Sequence, residues 1–228
     1  MPIQAPDRSV HFYTLEELKE KLHFTYLSQI AFETPLDLKE IRQRGFDARK
    51  QNRVDIETEK FEIQFKEKIT SRYTANVSIG WINETIGYGV FAEEELPKGS
   101  YVGEYTGIIR KNDLRRCFEP LNNYCVTYPI VDELGKNFFL DGKDFGNVTR
   151  FINHSYTPNL RFYNVFDEGF YHRIFLTERH IKKGEQLLFN YGKGYWNART
   201  APLEITLDES SLKGVSFYCF KNFDKGQR

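Results

Sequence analysis

The segment Arg150-Phe-Ile-Asn-His-Ser-Tyr-Thr-Pro-Asn159 gathers the side chains best suited to a working site. Asn153 and His154 stand beside Ser155, and Pro158-Asn159 signals a turn directly after them. A lone Asn-His pair usually has its polar atoms satisfied within a loop; ten residues of this composition are harder to dismiss. A second segment, Gly184-Glu-Gln-Leu-Leu-Phe-Asn-Tyr-Gly192, is a strand-like run ending on the hydroxyl of Tyr191. Gly87-Tyr88-Gly89 reads by itself as a turn: residue 92 is Ala and β-type sequence follows, which is a poor match to a dinucleotide loop. The phosphate loop Gly-x-x-x-x-Gly-Lys-[Ser/Thr], the zinc motif His-Glu-x-x-His and the nucleophile elbow Gly-x-Ser-x-Gly do not occur.

The elements that must position these residues change character near residue 77. Before it the chain reads as helical. Thr14 with Glu17 forms a capping box, and Leu15, Leu18 and Leu22 share one face. Thr34-Pro35 starts a second helical stretch running to about Ser71, which Gly45 is expected to kink or interrupt. Phe61, Phe65 and Ile69 give this stretch one side to bury, by capping the β core or by self-association. Pairs such as Glu17–Lys21, Glu40–Arg44 and Glu62–Lys66 sit at i, i+4. Past residue 77, short β-type runs follow one another at 78–82, 89–92, 101–105, 107–109, 124–130, 136–140, 163–166 and 170–177. The pattern predicts a mainly β fold with α, built of small sheets or a barrel-like core. The expected division is a helical segment 1–76, a β-rich domain 77–197 and an aromatic tail 198–228.

Composition narrows the function classes. Lys+Arg and Asp+Glu are 32 each, so the chain lacks the basic excess of a bulk nucleic-acid binder. Locally, Lys39, Arg42, Arg44, Arg49, Lys50 and Arg53 face only Glu40 and Asp47, which is either a solvated helix face or a docking surface for an acidic partner. Aromatic residues make up 16% of the chain, enough to build a substantial core. No run of apolar residues is long enough to span a bilayer, and the first residues lack a secretory layout. Cys117, Cys125 and Cys219 are too few and scattered for a disulfide framework. A soluble protein of a reducing compartment is expected.

Four motifs in order, Gly87-Tyr-Gly-Val90, Glu104-Tyr-Thr-Gly107, Arg150-Phe-Ile-Asn-His-Ser with Pro158-Asn159, and Gly184-Glu-x-Leu with Tyr191-Gly192, resemble the SET-domain protein lysine methyltransferases over roughly residues 78–197. Trp81-Ile-Asn, Gly103-Glu-Tyr-Thr-Gly-Ile and Gly146-Asn-Val-Thr-Arg-Phe-Ile-Asn-His-Ser look most like the chlamydial type of bacterial SET protein. The resemblance implies a fold of short sheets with a C-terminal pseudoknot that brings Asn153-His154 next to Tyr191. It implies S-adenosylmethionine lying against Gly87, Tyr88 and Gly89, where absent β-carbons permit close approach. Tyr124, Arg150, Asn153 and His154 would contact the same molecule. Tyr191 would be the catalytic hydroxyl, with Tyr105 lining the lysine channel. Phe189 occupies the position that influences how many methyl groups are added, and the lack of a hydroxyl there implies di- or trimethylation. Histones or basic proteins of histone-like composition would be the substrate, with no membrane partner and no direct nucleic-acid binding. The bacterial cytoplasm or, for a secreted effector, the host nucleus would be the location.

The departures from the family pattern are equally specific. Many relatives continue Asn-His-Ser with a zinc-binding cysteine, where this chain has Tyr156, and beyond Tyr191 only Cys219 occurs. No zinc is expected, since one thiol does not make a site. Tyr195-Trp196 and the tail Phe217-Tyr218-Cys219-Phe220 with Phe223 are then the candidates for closing the cofactor site, Trp196 by stacking on adenine. Asn190 replaces a common aspartate. The alternative function is a SET-like interaction module without catalysis, against which the combination of Tyr124, Asn153, His154 and Tyr191 speaks.

Overall fold

The computed structural model describes residues 2–111, 122–131, 134–197 and 199, and the strands at 203–205 and 217–219. In chain order, β1 (Pro2–Gln4), β2 (Val10–Phe12), α1 (Leu15–Leu22), β3 (Thr25–Tyr26), β4 (Ala31–Phe32), α2 (Pro35–Lys50) and α3 (Ile56–Thr70) lead into β5 (Val77–Asn83) and β6 (Gly87–Ala92). After them come β7 (Tyr101–Glu104), β8 (Ile108–Arg110), β9 (Cys125–Val131), β10 (Asn137–Asp141), β11 (Phe145–Gly146) and a 3-10 turn at Val148–Phe151. Next are β12 (Asn153–His154), β13 (Leu160–Asp167), β14 (Phe170–Thr177), β15 (Gln186–Phe189), a helical turn at Lys193–Trp196, β16 (Leu203–Ile205) and β17 (Phe217–Cys219). Phe220, Phe223 and Cys117 lie outside the described residues.

The first 76 residues are helical only in part. Four strands of two or three residues accompany the helices, two before α1 and two between α1 and α2, too short for any periodicity to announce them. They pair into the β-rich half: β1 runs parallel to β5 through Ile3↔Ile79, β3 pairs with β11, and β4 with β8. The Thr14 capping box is present, with Thr14 N–H donating to the Glu17 carboxylate at 2.7 Å and Glu17 N–H to the Thr14 hydroxyl at 3.2 Å. Of the expected leucine face, Leu18 is buried, whereas Leu15, in the first turn, remains exposed.

Thr34 caps α2 through Asp37 N–H at 3.1 Å. The helix runs straight through Gly45, contrary to the expected kink. A β-carbon at Gly45 would fall 1.9 Å from Gly169 O, so glycine is needed there for helix and hairpin backbones to touch. The break comes instead at residues 51–55, where Asp55 caps α3 through Thr58 N–H at 2.9 Å.

Helix α3 turns Phe65 and Ile69 onto the sheet β13–β14–β7, where they are buried with Tyr101, Val165, Ile174 and Leu176. Phe61 meets Tyr163 edge-on at 5.1 Å. This side is therefore covered by the chain's own sheet, the capping arrangement. Lys66 reaches Asp167 of β13 at 2.6 Å, and Glu62 is taken by Arg49 at 3.0 Å, so the expected Glu62–Lys66 pair gives way to tertiary partners. Arg42 and Arg44 are likewise paired, with Glu168 and Glu40, so half of the basic stretch is neutralised within the fold.

A six-stranded sheet in the order β12–β15–β6–β5–β1–β2 carries the two sequence-distant motifs at one end. A four-stranded sheet, β4–β8–β10–β9, and the three-stranded sheet complete the surround of the main core.

Candidate active site

Strand β12 lies parallel to β15, with Asn153↔Leu188 and His154↔Phe189 in register. Asn159 stitches the same two segments together. Its N–H donates to Leu188 O at 3.1 Å, its Nδ2 to Gln186 O at 2.8 Å, and its Oδ1 accepts Leu188 N–H at 2.8 Å. Buried backbone groups demand partners, and one asparagine side chain supplies both kinds.

This pairing delivers Tyr191 to the Asn-His pair, as the sequence led us to expect. The Tyr191 N–H donates to His154 Nδ1 at 3.0 Å, which makes Nδ1 the acceptor and assigns the ring proton to Nε2. Burial pushes the imidazole pKa down to about 4, so the ring is neutral at pH 7. The Tyr191 hydroxyl donates to Ile152 O at 2.9 Å, and burial raises its pKa well above the ordinary phenol value. It therefore acts as an oriented dipole.

Around that hydroxyl stands an aromatic wall. Phe189 is 4.7 Å from Tyr191, 4.9 Å from Phe175 and 5.5 Å from Phe162, ring to ring. Tyr105 meets Phe162 edge-on at 6.0 Å, and its hydroxyl donates to Tyr124 O at 2.7 Å. Burial raises the Tyr105 phenol pKa as well.

Gly87, Tyr88 and Gly89 lie on β6, joined to β12 by Asn153 Nδ2 donating to Tyr88 O at 3.0 Å. The two glycines do different work. Gly87 has φ +78° and nothing within 4 Å of where a β-carbon would stand. At Gly89 that place is already filled, with Gln186 Nε2 and Ile82 Cδ1 at 2.7 Å and Asn153 Nδ2 at 3.1 Å. At Gly89 the missing β-carbon makes room for the protein's own amides, those of Gln186 and Asn153.

Arg150 is buried, its Nε donating to Gly142 O and its Nη2 to Lys143 O, both at 2.8 Å. Its guanidinium lies 3.9 Å from the Tyr124 ring centre and 4.6 Å from that of Phe24. It braces the turn carrying Tyr124, which sits just before β9. Trp196 packs against His154 at 4.9 Å and lies parallel to Tyr191, 9° between planes at 6.2 Å. Tyr156, at the place of the family's cysteine, meets the His154 ring perpendicularly at 4.6 Å. Asn190 Oδ1 accepts Gly192 N–H at 2.8 Å, shaping the turn after Tyr191.

The structure adds two residues that sequence reasoning passed over. Gln186 is buried beside Gly89, and its Oε1 has no hydrogen-bond partner among the described residues; its only sequence signal is its place within Gly184-Glu-x-Leu. Arg199 gathers three acceptors from two segments. Among the described residues no group of three or more His, Cys, Asp or Glu is arranged to hold a metal, and no helix is long and apolar enough to cross a membrane. A cleft of about 460 Å³ between Tyr26, Tyr73, Asn76, Glu94 and Val148 touches none of the site residues.

The chain is similar to several known proteins. The SET domain family model matches residues 87–192. The histone-lysine N-methyltransferase SUV39H1 of Xenopus laevis is 33% identical over 137 residues, 58% of this chain and 31% of the frog protein, so the chain spans under a third of that relative. Among solved structures, ctPRC2 in an autoinhibited conformation bound to S-adenosylmethionine is 29% identical with a TM-score of 0.50, covering 57% of this chain and 17% of that one. ATXR5 in complex with histone H3.1 superposes with a TM-score of 0.59 over 79% of this chain and 86% of the other, at 15% identity, a likeness of fold. Strands in several small sheets with few helices, together with the match over residues 87–192, give this part of the chain the fold of a SET domain.

Proposed function

We propose that the protein is an S-adenosylmethionine-dependent protein lysine N-methyltransferase acting on histones or histone-like basic proteins. The observation that carries the reading is the junction of Tyr191 with Ile152 and His154, two bonds that fix a neutral phenol at the end of an aromatic wall. The relatives named histone-lysine N-methyltransferases support the substrate class.

The residues present fit the cofactor. The backbone at Gly87 faces open space, and the buried Gln186 Oε1 beside Gly89 and Asn153 is an acceptor without a partner among the described residues, suited to an ammonium donor. Gly87, Tyr88, Asn153, His154 and Gln186 would hold it, with Tyr124 and Trp196 at the margin. S-adenosylmethionine, when bound, supplies a methyl group on a sulfonium, open to in-line displacement by a neutral amine.

The chain's own contribution is to prepare that amine. A lysine has a pKa of about 10.4 in water and is almost wholly protonated at neutral pH. Phe162, Phe175, Phe189, Tyr105 and Tyr191 offer a wall with little to solvate an ammonium, which favours the neutral form. With its proton committed to Ile152 O, the Tyr191 hydroxyl keeps lone pairs to accept an amine N–H and aim the nitrogen. Tyr105, its proton held by Tyr124 O, lines the same wall. Phe189 brings no hydroxyl to trap a water, leaving space for a second and third methyl group.

The motifs Trp81-Ile-Asn and Gly146-Asn-Val-Thr-Arg-Phe support a likeness to the chlamydial type of bacterial SET protein. On this reading residues 77–197 are the catalytic unit and residues 1–76 its cover.

Incubation with radiolabelled cofactor and core histones or a bacterial lysate tests the proposal. Wild type should transfer label and Tyr191→Phe should lose it by about a hundredfold or more, the scale of losing a positioned hydroxyl. A chain that binds histones but never takes up cofactor would establish the interaction-module reading instead.

A further inference from the structure

Something must hold the residues that follow the SET domain against the site. The helical turn Lys193–Trp196 begins at Gly192 with no side-chain cap, and a single turn has no stability of its own. Yet it places Tyr195 4.7 Å from Tyr191 and Trp196 4.9 Å from His154.

Arg199 provides the hold. Its Nη1 donates to Tyr195 O at 2.9 Å while its guanidinium carbon lies 4.0 Å from the Tyr195 ring centre, gripping the turn by both backbone and ring. The remaining edge of the fork crosses to another part of the chain: Nε donates to Asn123 Oδ1 at 3.0 Å and Nη2 to Asn122 O at 2.8 Å. Those acceptors begin the turn whose next residue, Tyr124, accepts the Tyr105 hydroxyl and covers Arg150. The turn is itself pinned, Asn122 Nδ2 donating to Asp141 Oδ1 at 2.8 Å and Asn122 Oδ1 accepting Tyr124 N–H at 2.9 Å. One planar cation thus joins the aromatic flap to the turn that fixes Tyr105 and Tyr124.

We propose that Arg199 is a positioning residue, a latch that docks Tyr195 and Trp196 over the Tyr191–His154 pocket by tying them to the Asn122–Tyr124 turn. It rests on the methyltransferase reading for what the pocket does, but not for the docking itself. Lysine does not replace it, because a single ammonium cannot reach three acceptors in the plane of a fork.

The test uses the full chain with Trp81→Phe, so that Trp196 is the sole indole. Arg199→Ala should shift Trp196 emission to the red and raise its quenching by acrylamide about twofold or more, while the melting temperature moves by only a few degrees. S-adenosylhomocysteine, the probe for the pocket, should bind about tenfold more weakly. Arg199→Lys should behave nearly as Arg199→Ala, and Asn123→Ala, which removes one acceptor, should fall between. Unchanged Trp196 emission and quenching in Arg199→Ala overturns the latch; should that variant not fold, the same null result in both Arg199→Lys and Asn123→Ala overturns it. A Trp196 response without methyl transfer by wild type keeps the latch and removes the enzyme. Transfer without that response keeps the enzyme and removes the latch.

Discussion

The backbone N–H of Tyr191 and the Nδ1 atom of His154 meet at 3.0 Å, so the residue proposed to aim the substrate is hung on a histidine that must stay neutral. Burial lowers the His154 pKa from 6.5 to about 4. Between those values the unfolded chain takes up a proton that the folded chain refuses, so His154 withdraws stability as pH falls through that interval. Urea midpoints should drop from pH 7 to pH 5, and His154→Asn, which offers an oxygen acceptor and does not titrate, should show a shallower drop.

His172 works in the opposite direction. Burial alone would lower its pKa, but the Glu104 carboxylate, 2.7 Å from Nδ1, outweighs that, and Asp167 adds to it, so the pKa is raised. Asp167 is also held by Lys66. The stability gained is complete below the ordinary value of 6.5 and is lost as pH rises through the raised one. Glu104→Gln should cost about 1–3 kcal/mol at pH 6. The gap to wild type in denaturant titrations should narrow steadily toward pH 9.

Gly45→Ala sets helix propensity against packing. Alanine gains about 1 kcal/mol in a helix interior. Its β-carbon, however, would stand 1.9 Å from a backbone oxygen that no rotamer change can move. Separating α2 from the β13–β14 hairpin should win, for a net loss of about 1–3 kcal/mol, read as a lower urea midpoint at unchanged slope.

Phe189→Tyr places a hydroxyl beside Tyr191, 4.7 Å away ring to ring. The variant should stop at monomethyl product where wild type proceeds further, with intact-mass spectra of a histone substrate as the readout. Wild type yielding monomethyl product alone would refute the assignment of Phe189.

Local rules were legible in the sequence where the interaction is local. The Thr14 and Thr34 caps, the apolar side of α3 and the β13–β14 hairpin each depend on residues a few positions apart. The approach of Asn153-His154 to Tyr191 followed from family resemblance, since spacing alone says nothing about residues 37 positions apart. What escaped was set by distant partners. The role of Gly45 is decided by Gly169, Lys66 prefers Asp167 to the nearer Glu62, and Gly89 yields its space to Gln186. Arg199 shows only as one more cation until the fold brings Asn122 and Asn123 beside it, 77 and 76 residues upstream.

Strand β15 lies between β6 and β12 in the six-stranded sheet. On the ribosome, Gly87–Ala92 and Asn153–His154 therefore emerge with no ladder to join them until Gln186–Phe189 has been made. Until then β6 presents a bare edge to any neighbouring nascent chain. Translation products halted before residue 186 should depend on chaperones to stay in solution, and the pocket takes shape only once Gln186–Phe189 and Tyr191 have been added.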